Sequence, residues 1–489
     1  MNRPLRRVAL GCLALFGLLL LNVNYVQVVK ADEYRENPSN SRVLLRTYER
    51  ERGPIAVVAA DGAGRDVLAA STRTDGPLTF LRTYPGGAPY AHVTGYYSLV
   101  YGRTGIERTQ DSVLSGDDDR FFVRRLSDYV TGRAPTGGGV LLSLDPPAQQ
   151  AAVAGLGSNR GAVVAMDPRT GAVLAMASNP SYDPARLSSF EPADIRAYNE
   201  QLNTAPDEPL LNRAISQTYP PGSTFKVITA AAALASGEVQ PDTQLPSPPE
   251  LDLPQTSANL RNFGGGTCGG NTITLADALR ISCNTAFAAL GLELGEQQLR
   301  EQAQAFGFGQ DDLRVPTTVA TSVFPSDISP PSLAQSAIGQ FEVRVTPLQM
   351  AMVAAGIANG GEVMKPYLVK EVQAPDLSRL DVAEPEVYKQ AVSGDVADQL
   401  TSMMRLVVER GSATNAQIPD VAVAGKTGTA QNAPGANPHA WFIGFAPAED
   451  PTVAVAVIVE NGGDAGSEAT GGKVAAPIAR DVMRAVLRR

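Results

Sequence analysis

Three short stretches carry the side chains from which acyl transfer could be built: Ser223-Thr-Phe-Lys226, Ser282-Cys-Asn284 and Lys426-Thr-Gly-Thr429. A serine hydroxyl is a poor nucleophile until a base takes its proton. Histidine is the usual base, but this chain has only 2, His92 and His439, and neither sits in a supporting context. A Ser-His-Asp arrangement through one of them is the minor alternative. A loop position or a structural hydrogen bond is the ordinary role for both. Lysine can serve as the base when burial or a neighbouring cation lowers its pKa. Each stretch also has a bland local reading: an N-cap serine with a surface lysine, a helix cap, a strand end with a solvated lysine. Their conjunction outweighs those readings.

The elements that must hold these groups can be read locally. Pro220-Pro221-Gly222 is a turn, and 225–235 is an apolar helix that stops near Gly237. Ser223 and Lys226 are then i and i+3 on one helical face. Ser223 falls in the first turn, where free N–H groups and the positive dipole end favour an oxyanion. A mostly apolar helix argues against a merely solvated lysine. Ser282–Asn284 lies between two helical stretches. A second hydroxyl beside Lys226 can relay a proton to a leaving amine, and the Asn284 amide can hydrogen-bond a peptide backbone. Val421–Gly425 reads as a buried strand leading into Lys426–Thr429 at a polar strand end. Lys426 would add positive charge, and the Thr427 and Thr429 hydroxyls could hold a carboxylate. Gly428 would let a substrate backbone lie close. The backbone N–H groups of Ser223 and Thr429 are the candidate oxyanion donors.

A chain of 489 residues suggests two or three domains, and 44% apolar with 19% charged residues is a globular composition. The net charge of −9 argues against nucleic acid as a partner. Residues 2–7 are basic and 8–21 are an apolar run that 22–29 extend. With the extension the segment can span a bilayer, its arginines placing the N-terminus in the cytoplasm. Cleavage at Val29-Lys-Ala31 is the alternative. Cys12, at the start of the run, reads as an ordinary membrane residue. Export puts the remainder in an oxidising compartment, so Cys268, in the glycine-rich loop 263–270, and Cys283 can pair. That disulfide would tie the loop to the rim of the site; a buried Cys283 with a free Cys268 is the alternative. Residues 133–139 read as a hinge. Residues 161–166 and 172–177 form a β-hairpin around Asp167–Gly171. Residues 426–429, 441–445 and 452–459 suggest three further strands, and 473–489 a C-terminal helix. There is no internal repeat, phosphate-binding glycine loop or metal-ligand cluster. Asp117–Asp119 reads as a solvated loop, so no metal or other cofactor is expected.

The three motifs, in this order, are those shared by penicillin-binding proteins and serine β-lactamases. Further matching stretches are Arg52-Gly-Pro-Ile55, Gly105-Ile-Glu107, 161–176, Tyr219–Lys226, Ile338-Gly-Gln340, 346–351 and Trp441–Pro447. Over nearly its whole length the chain resembles the class B penicillin-binding proteins, monofunctional peptidoglycan D,D-transpeptidases, and within them the actinobacterial A group. The resemblance implies a mixed α+β fold. A serine β-lactamase/transpeptidase-like domain, with a five-stranded antiparallel sheet and helices, would follow a smaller non-catalytic N-terminal domain and one membrane helix. The division would be 1–7 cytoplasmic tail, 8–29 retained anchor, 31–144 dimerisation or pedestal domain and 145–489 transpeptidase domain. The resemblance also implies stem peptides ending in D-Ala-D-Ala as substrate and β-lactams as acylating inhibitors. Expected partners are a SEDS-type glycan polymerase and division or elongation proteins, with the catalytic domain outside the cytoplasm. A D,D-carboxypeptidase would use the same motifs and is the alternative. A β-lactamase would need a water-activating Glu between the first two motifs, whereas Glu293 and Glu296 follow Asn284 and Glu250 lacks the context. A β-lactam sensor would need a cytoplasmic domain, and only a handful of residues precede the apolar run. Residues 31–144 are too few for a glycosyltransferase with a linker.

Overall fold

The computed structural model describes residues 2–31, 34, 48–76, 78–132, 136–432 and 435–488. The expected hinge, 133–139, lies partly outside them. Helix α1 (Asn2–Asn24) runs on through a wider turn at Tyr25–Val29. The stretch Arg3–Val29, 27 residues, is long and apolar enough to cross a membrane, and among the described residues it is not buried against any other part of the chain. At 1.5 Å per residue it reaches about 40 Å, more than a bilayer core needs.

Four strands of one sheet follow: β1 (Ile55–Val58), β2 (Arg65–Arg73), β3 (Phe80–Thr83) and β4 (Gly139–Leu142). Between β3 and β4 the chain folds back and brings three charges together. Glu107, fully buried, accepts from Arg52 Nε at 2.6 Å and from Arg82 Nε at 2.6 Å. Burial pushes the Glu107 carboxyl up, but the two guanidiniums outweigh it and hold it below its ordinary value. Arg52-Gly-Pro-Ile55 and Gly105-Ile-Glu107, far apart in sequence, are thus two halves of one buried ion cluster.

The larger part of the chain supplies the other strands of the two main sheets and the helices that bear on the site. In chain order they are α2 (Pro146–Leu156), β5 (Gly161–Met166), β6 (Val173–Asn179), α3 (Lys226–Ala235), α4 (Leu275–Ile281), α5 (Asn284–Ala305) and α6 (Pro347–Ala358). Then come β7 (Val369–Gln373), β8 (Arg379–Val382), α7 (Gly394–Arg410), β9 (Ala424–Ala430), β10 (His439–Ala446), β11 (Val453–Val459) and α8 (Ala475–Val486). Strands β9-β10-β11-β5-β6 form a five-stranded sheet, antiparallel throughout. Every residue of β5, β10 and β11 is buried, so both faces of the sheet are covered. Helix α8 packs on α2 and on β10 and β11; α6, buried from Pro347 to Ile357, packs on β5, β10 and β11. Strand β9 is an edge, with α7 and the turn Gly222–Thr224 beside it.

The second sheet has the order β8-β7-β4-β1-β2-β3 and is antiparallel except for the β1–β4 pair. Its strands β7 and β8 come from 369–382, far beyond β4 in sequence. Ser143, just after β4, is bonded to both parts: its Oγ donates to Val173 O at 2.7 Å and its N–H to Leu368 O at 2.8 Å.

Candidate active site

The nucleophile turn is built by close backbone approach. Gly222 has φ 54° and its N–H donates to Gly339 O at 2.9 Å. A side chain there would meet Thr429 O and the Ala430 Cβ, each at 3.0 Å, so only glycine lets the turn sit against β9. Trp441 Nε1 donates to Pro220 O at 3.0 Å and holds the turn from the sheet side. Ser223 lies in the 3-10 turn Gly222–Thr224, and α3 begins only at Lys226. The first turn is therefore tighter than the α-helical one expected. Ser223 is partly exposed, whereas Lys226 is fully buried.

Lys226 Nζ lies 2.8 Å from Ser282 O, 2.6 Å from Asn284 Oδ1 and 3.3 Å from Ser282 Oγ. Ser282 is placed by an αL backbone (φ 65°) that closes α4, and Asn284 opens α5 two residues later. From the opposite side Lys426 Nζ donates to Ser282 Oγ at 2.9 Å and to Thr427 O at 2.8 Å. Two buried ammonium-bearing side chains thus converge on one hydroxyl. Burial and then the Lys426 charge push the Lys226 amine well below its ordinary value, and burial brings Lys426 down to about 7. A neutral Lys226 has two N–H bonds and one lone pair. Ser282 O and Asn284 Oδ1 accept both N–H bonds, which leaves the lone pair for a hydroxyl such as Ser282 Oγ, 3.3 Å away.

Lys426–Thr429 lies in the middle of β9, paired with β10 along its length, and not at the end of a strand 421–425 as expected. The reason is register: β10 pairs from His439, opposite Ala430, to Phe445, opposite Ala424, so the motif falls inside the ladder. Thr427 O faces out of the sheet edge, since it accepts from Lys426 in the site. Main-chain groups alternate along a strand, so Thr429 N–H faces the same way, beside the Ser223 turn. Gly428 also has a local structural reason. A Cβ there would meet Pro221 O at 2.9 Å and Thr224 Cγ2 at 3.0 Å, so the glycine accommodates the nucleophile turn. The Thr427 hydroxyl is bonded to Ser412 Oγ at 2.6 Å. Ser412 escapes sequence reading, because Gly411-Ser-Ala413 after a helix carries no catalytic pattern.

Both histidines lie elsewhere. His92 Nε2 is 2.9 Å from Pro209 O, and burial lowers its pKa to about 4. His439 is buried edge-on to Tyr219, and its Nδ1 accepts from Asn461 N–H at 3.0 Å. Cys268 and Cys283 are joined in a disulfide that ties loop 263–270 to the Ser282-Cys-Asn284 stretch. Among the described residues no group of His, Cys, Asp and Glu is arranged to hold a metal ion.

If Lys226 is the base, its lowered pKa fixes the pH dependence. Acylation by a β-lactam should rise with pH as the amine loses its proton, along a limb centred well below the ordinary lysine value. A rate limb centred near the ordinary lysine value of 10.5 would mean that the amine is solvated in solution. Labelling rates with a fluorescent penicillin across pH read this directly.

Residues 161–484 match the penicillin binding protein transpeptidase domain, and residues 52–140 match the penicillin binding protein A dimerisation domain. The peptidoglycan D,D-transpeptidase PbpA of Mycolicibacterium smegmatis is 49% identical over 100% of this chain and 99% of its own length. The protein of the same name from Mycobacterium tuberculosis is 46% identical, again over 100% and 99%. Penicillin-binding protein A from M. tuberculosis, solved as its ceftriaxone acyl-enzyme complex, superposes with a TM-score of 0.87 at 45% identity. That superposition covers 91% of this chain and 100% of that one. The match spans the three motifs, both sheets and the full run of helices between them, and on that ground the chain belongs to the penicillin-binding protein transpeptidase family.

Proposed function

We propose that the chain is a peptidoglycan D,D-transpeptidase that cross-links stem peptides through a Ser223 acyl-enzyme, releasing D-Ala, and that β-lactams acylate the same serine. The observation that carries this reading is the meeting of Lys226 and Lys426 on Ser282 Oγ, one turn from a partly exposed serine at a sheet edge. The donor peptide lies along the edge of β9 with its carboxylate toward Thr427, Thr429 and Lys426, next to Gly428. Ser223 Oγ attacks the penultimate carbonyl while the Lys226 lone pair takes its proton. The oxyanion rests on the Ser223 and Thr429 N–H groups. As the tetrahedral centre collapses, the proton passes from Lys226 through Ser282 to the departing D-Ala amine, and Asn284 keeps both the lysine and the peptide in place. An acceptor amine from a second stem peptide then attacks the ester, gives its proton back along the same relay, and frees Ser223.

Transfer to an amine is favoured over hydrolysis because no Glu lies between the first two motifs in the context that would activate water, and the Glu that follows them is engaged elsewhere. Glu296 is bonded to Arg300 and to the Asp327 and Ile328 N–H groups, on α5 beyond Asn284. We assign 1–7 to a cytoplasmic tail, 8–29 to a retained anchor, 31–144 to a pedestal domain and 145–489 to the transpeptidase domain, with catalysis outside the cytoplasm. The glycan strands come from a membrane polymerase of the SEDS type, met through the anchor and the N-terminal region. The test is reconstitution with that polymerase and lipid-linked precursor. Cross-linked dimeric muropeptides are the expected product. Trimmed monomers alone, with acceptor amine abundant, would make the enzyme a D,D-carboxypeptidase.

A further inference from the structure

Cys283 stands at the N-cap of α5, a position where Ser, Thr, Asp or Asn ordinarily takes up an orphan N–H. Its sulfur is committed to Cys268, and its side chain caps nothing. The loop held by that disulfide returns an acceptor from outside the helix. Asn262 Oδ1 accepts the Asn284 N–H at 2.8 Å and the Thr285 N–H at 3.2 Å. Its own amide is pinned, with Nδ2 donating to Gly266 O at 3.1 Å and to Thr285 Oγ1 at 3.4 Å. One residue earlier, Arg261 O accepts from Asn284 Nδ2 at 3.1 Å. A carbonyl oxygen can only accept, so it decides which end of the Asn284 amide faces it. The other end, Oδ1, is thereby turned to Lys226 Nζ at 2.6 Å.

We propose that Asn262 is a positioning residue of the transfer reaction: through the backbone and amide of Asn284 it holds Lys226 where its lone pair meets the serine hydroxyls. The inference rests on Lys226 being the base. Asn262 touches neither Ser223 nor Lys226. Without its acceptor, two N–H groups at the start of α5 lose their partner, the first turn loosens, and the Asn284 amide no longer fixes the lysine. A small displacement of a general base is costly in rate and nearly neutral for the initial docking of a ligand.

The test measures penicillin acylation of the full chain in single turnover, separating the affinity of the first complex from the rate constant of the covalent step. Asn262→Ala should slow the covalent step about ten-fold or more while the initial affinity changes by no more than about two-fold. Asn262→Asp keeps an acceptor in the same place and suits a helix N-terminus. It should restore the covalent step to within about three-fold of the unaltered protein. An unchanged rate in Asn262→Ala, or an aspartate variant as slow as the alanine one, overturns the proposal. If Asn262→Ala does not fold, Asn262→Gln, which moves the amide one methylene away, takes its place under the same criterion. The nucleophile assignment fails separately, by an adduct of the unaltered protein that maps away from Ser223.

Discussion

Ser223→Ala should abolish covalent labelling by penicillin. The unaltered protein should gain the mass of one drug molecule, located on the peptide containing Ser223, and the variant should gain none. The substitution is structurally mild. Ser223 is partly exposed, and the turn that carries it is held by Gly222 N–H to Gly339 O and by Trp441 Nε1 to Pro220 O, neither involving the hydroxyl. Loss of the adduct in a protein of unchanged melting temperature can then be attributed to the missing oxygen. Another hydroxyl in the site, Ser282 Oγ, already lies between two lysines and is a rival nucleophile. An adduct that persists in Ser223→Ala, and maps to Ser282, would reverse the two serines' roles.

Lys226→Ala should lower the acylation rate by roughly 10²–10⁴-fold or more, the usual loss on removing a general base. Two effects act on stability in opposite directions. Removing a buried amine relieves its desolvation, but Ser282 O and Asn284 Oδ1 lose a donor, which costs about 1–3 kcal/mol per buried group left unpaired. The melting temperature is therefore a poor guide to the role of this lysine, and the rate is a good one. Wild-type acylation in the variant would end the lysine mechanism and return attention to His439, whose Nδ1 already accepts from Asn461 N–H.

What could be read from the sequence follows the range of each interaction. Ser223 and Lys226 are three residues apart, and a turn followed by an apolar helix is enough to place them together. That burial would lower the lysine pKa was also legible, because 225–235 has almost no polar residue. The identity of the second cation's partner was not: Lys426 reaches Ser282 across 144 residues, a contact made by the packing of β9 and α4 against α7 and of β9 against the turn Gly222–Thr224. Strand limits failed where the pairing partner overrides composition. Val421-Ala-Val-Ala reads as a strand, yet the ladder starts only at Ala424, opposite Phe445; β10 ends at Ala446, and Ala422 O accepts the Ala448 N–H beyond it at 2.8 Å. The disulfide was legible from compartment and count, but not its consequence that Asn262 caps a helix whose own N-cap residue is occupied. Ser412 and strands β7 and β8 had no local signal. Val-Lys-Glu-Val-Gln at 369–373 is a strand because β4, more than two hundred residues earlier, is there to pair with it.

That pairing bears on how such a protein can be recombined. Strand β4 has β1 on one side and β7 on the other, so the smaller sheet is stitched from two stretches of chain that are remote in sequence. A chimera made by exchanging the first 144 residues with those of a relative would import four strands and leave their two neighbours behind. The heritable unit includes 369–382, and substitutions in β4 and β7 are free to drift only as a matched set.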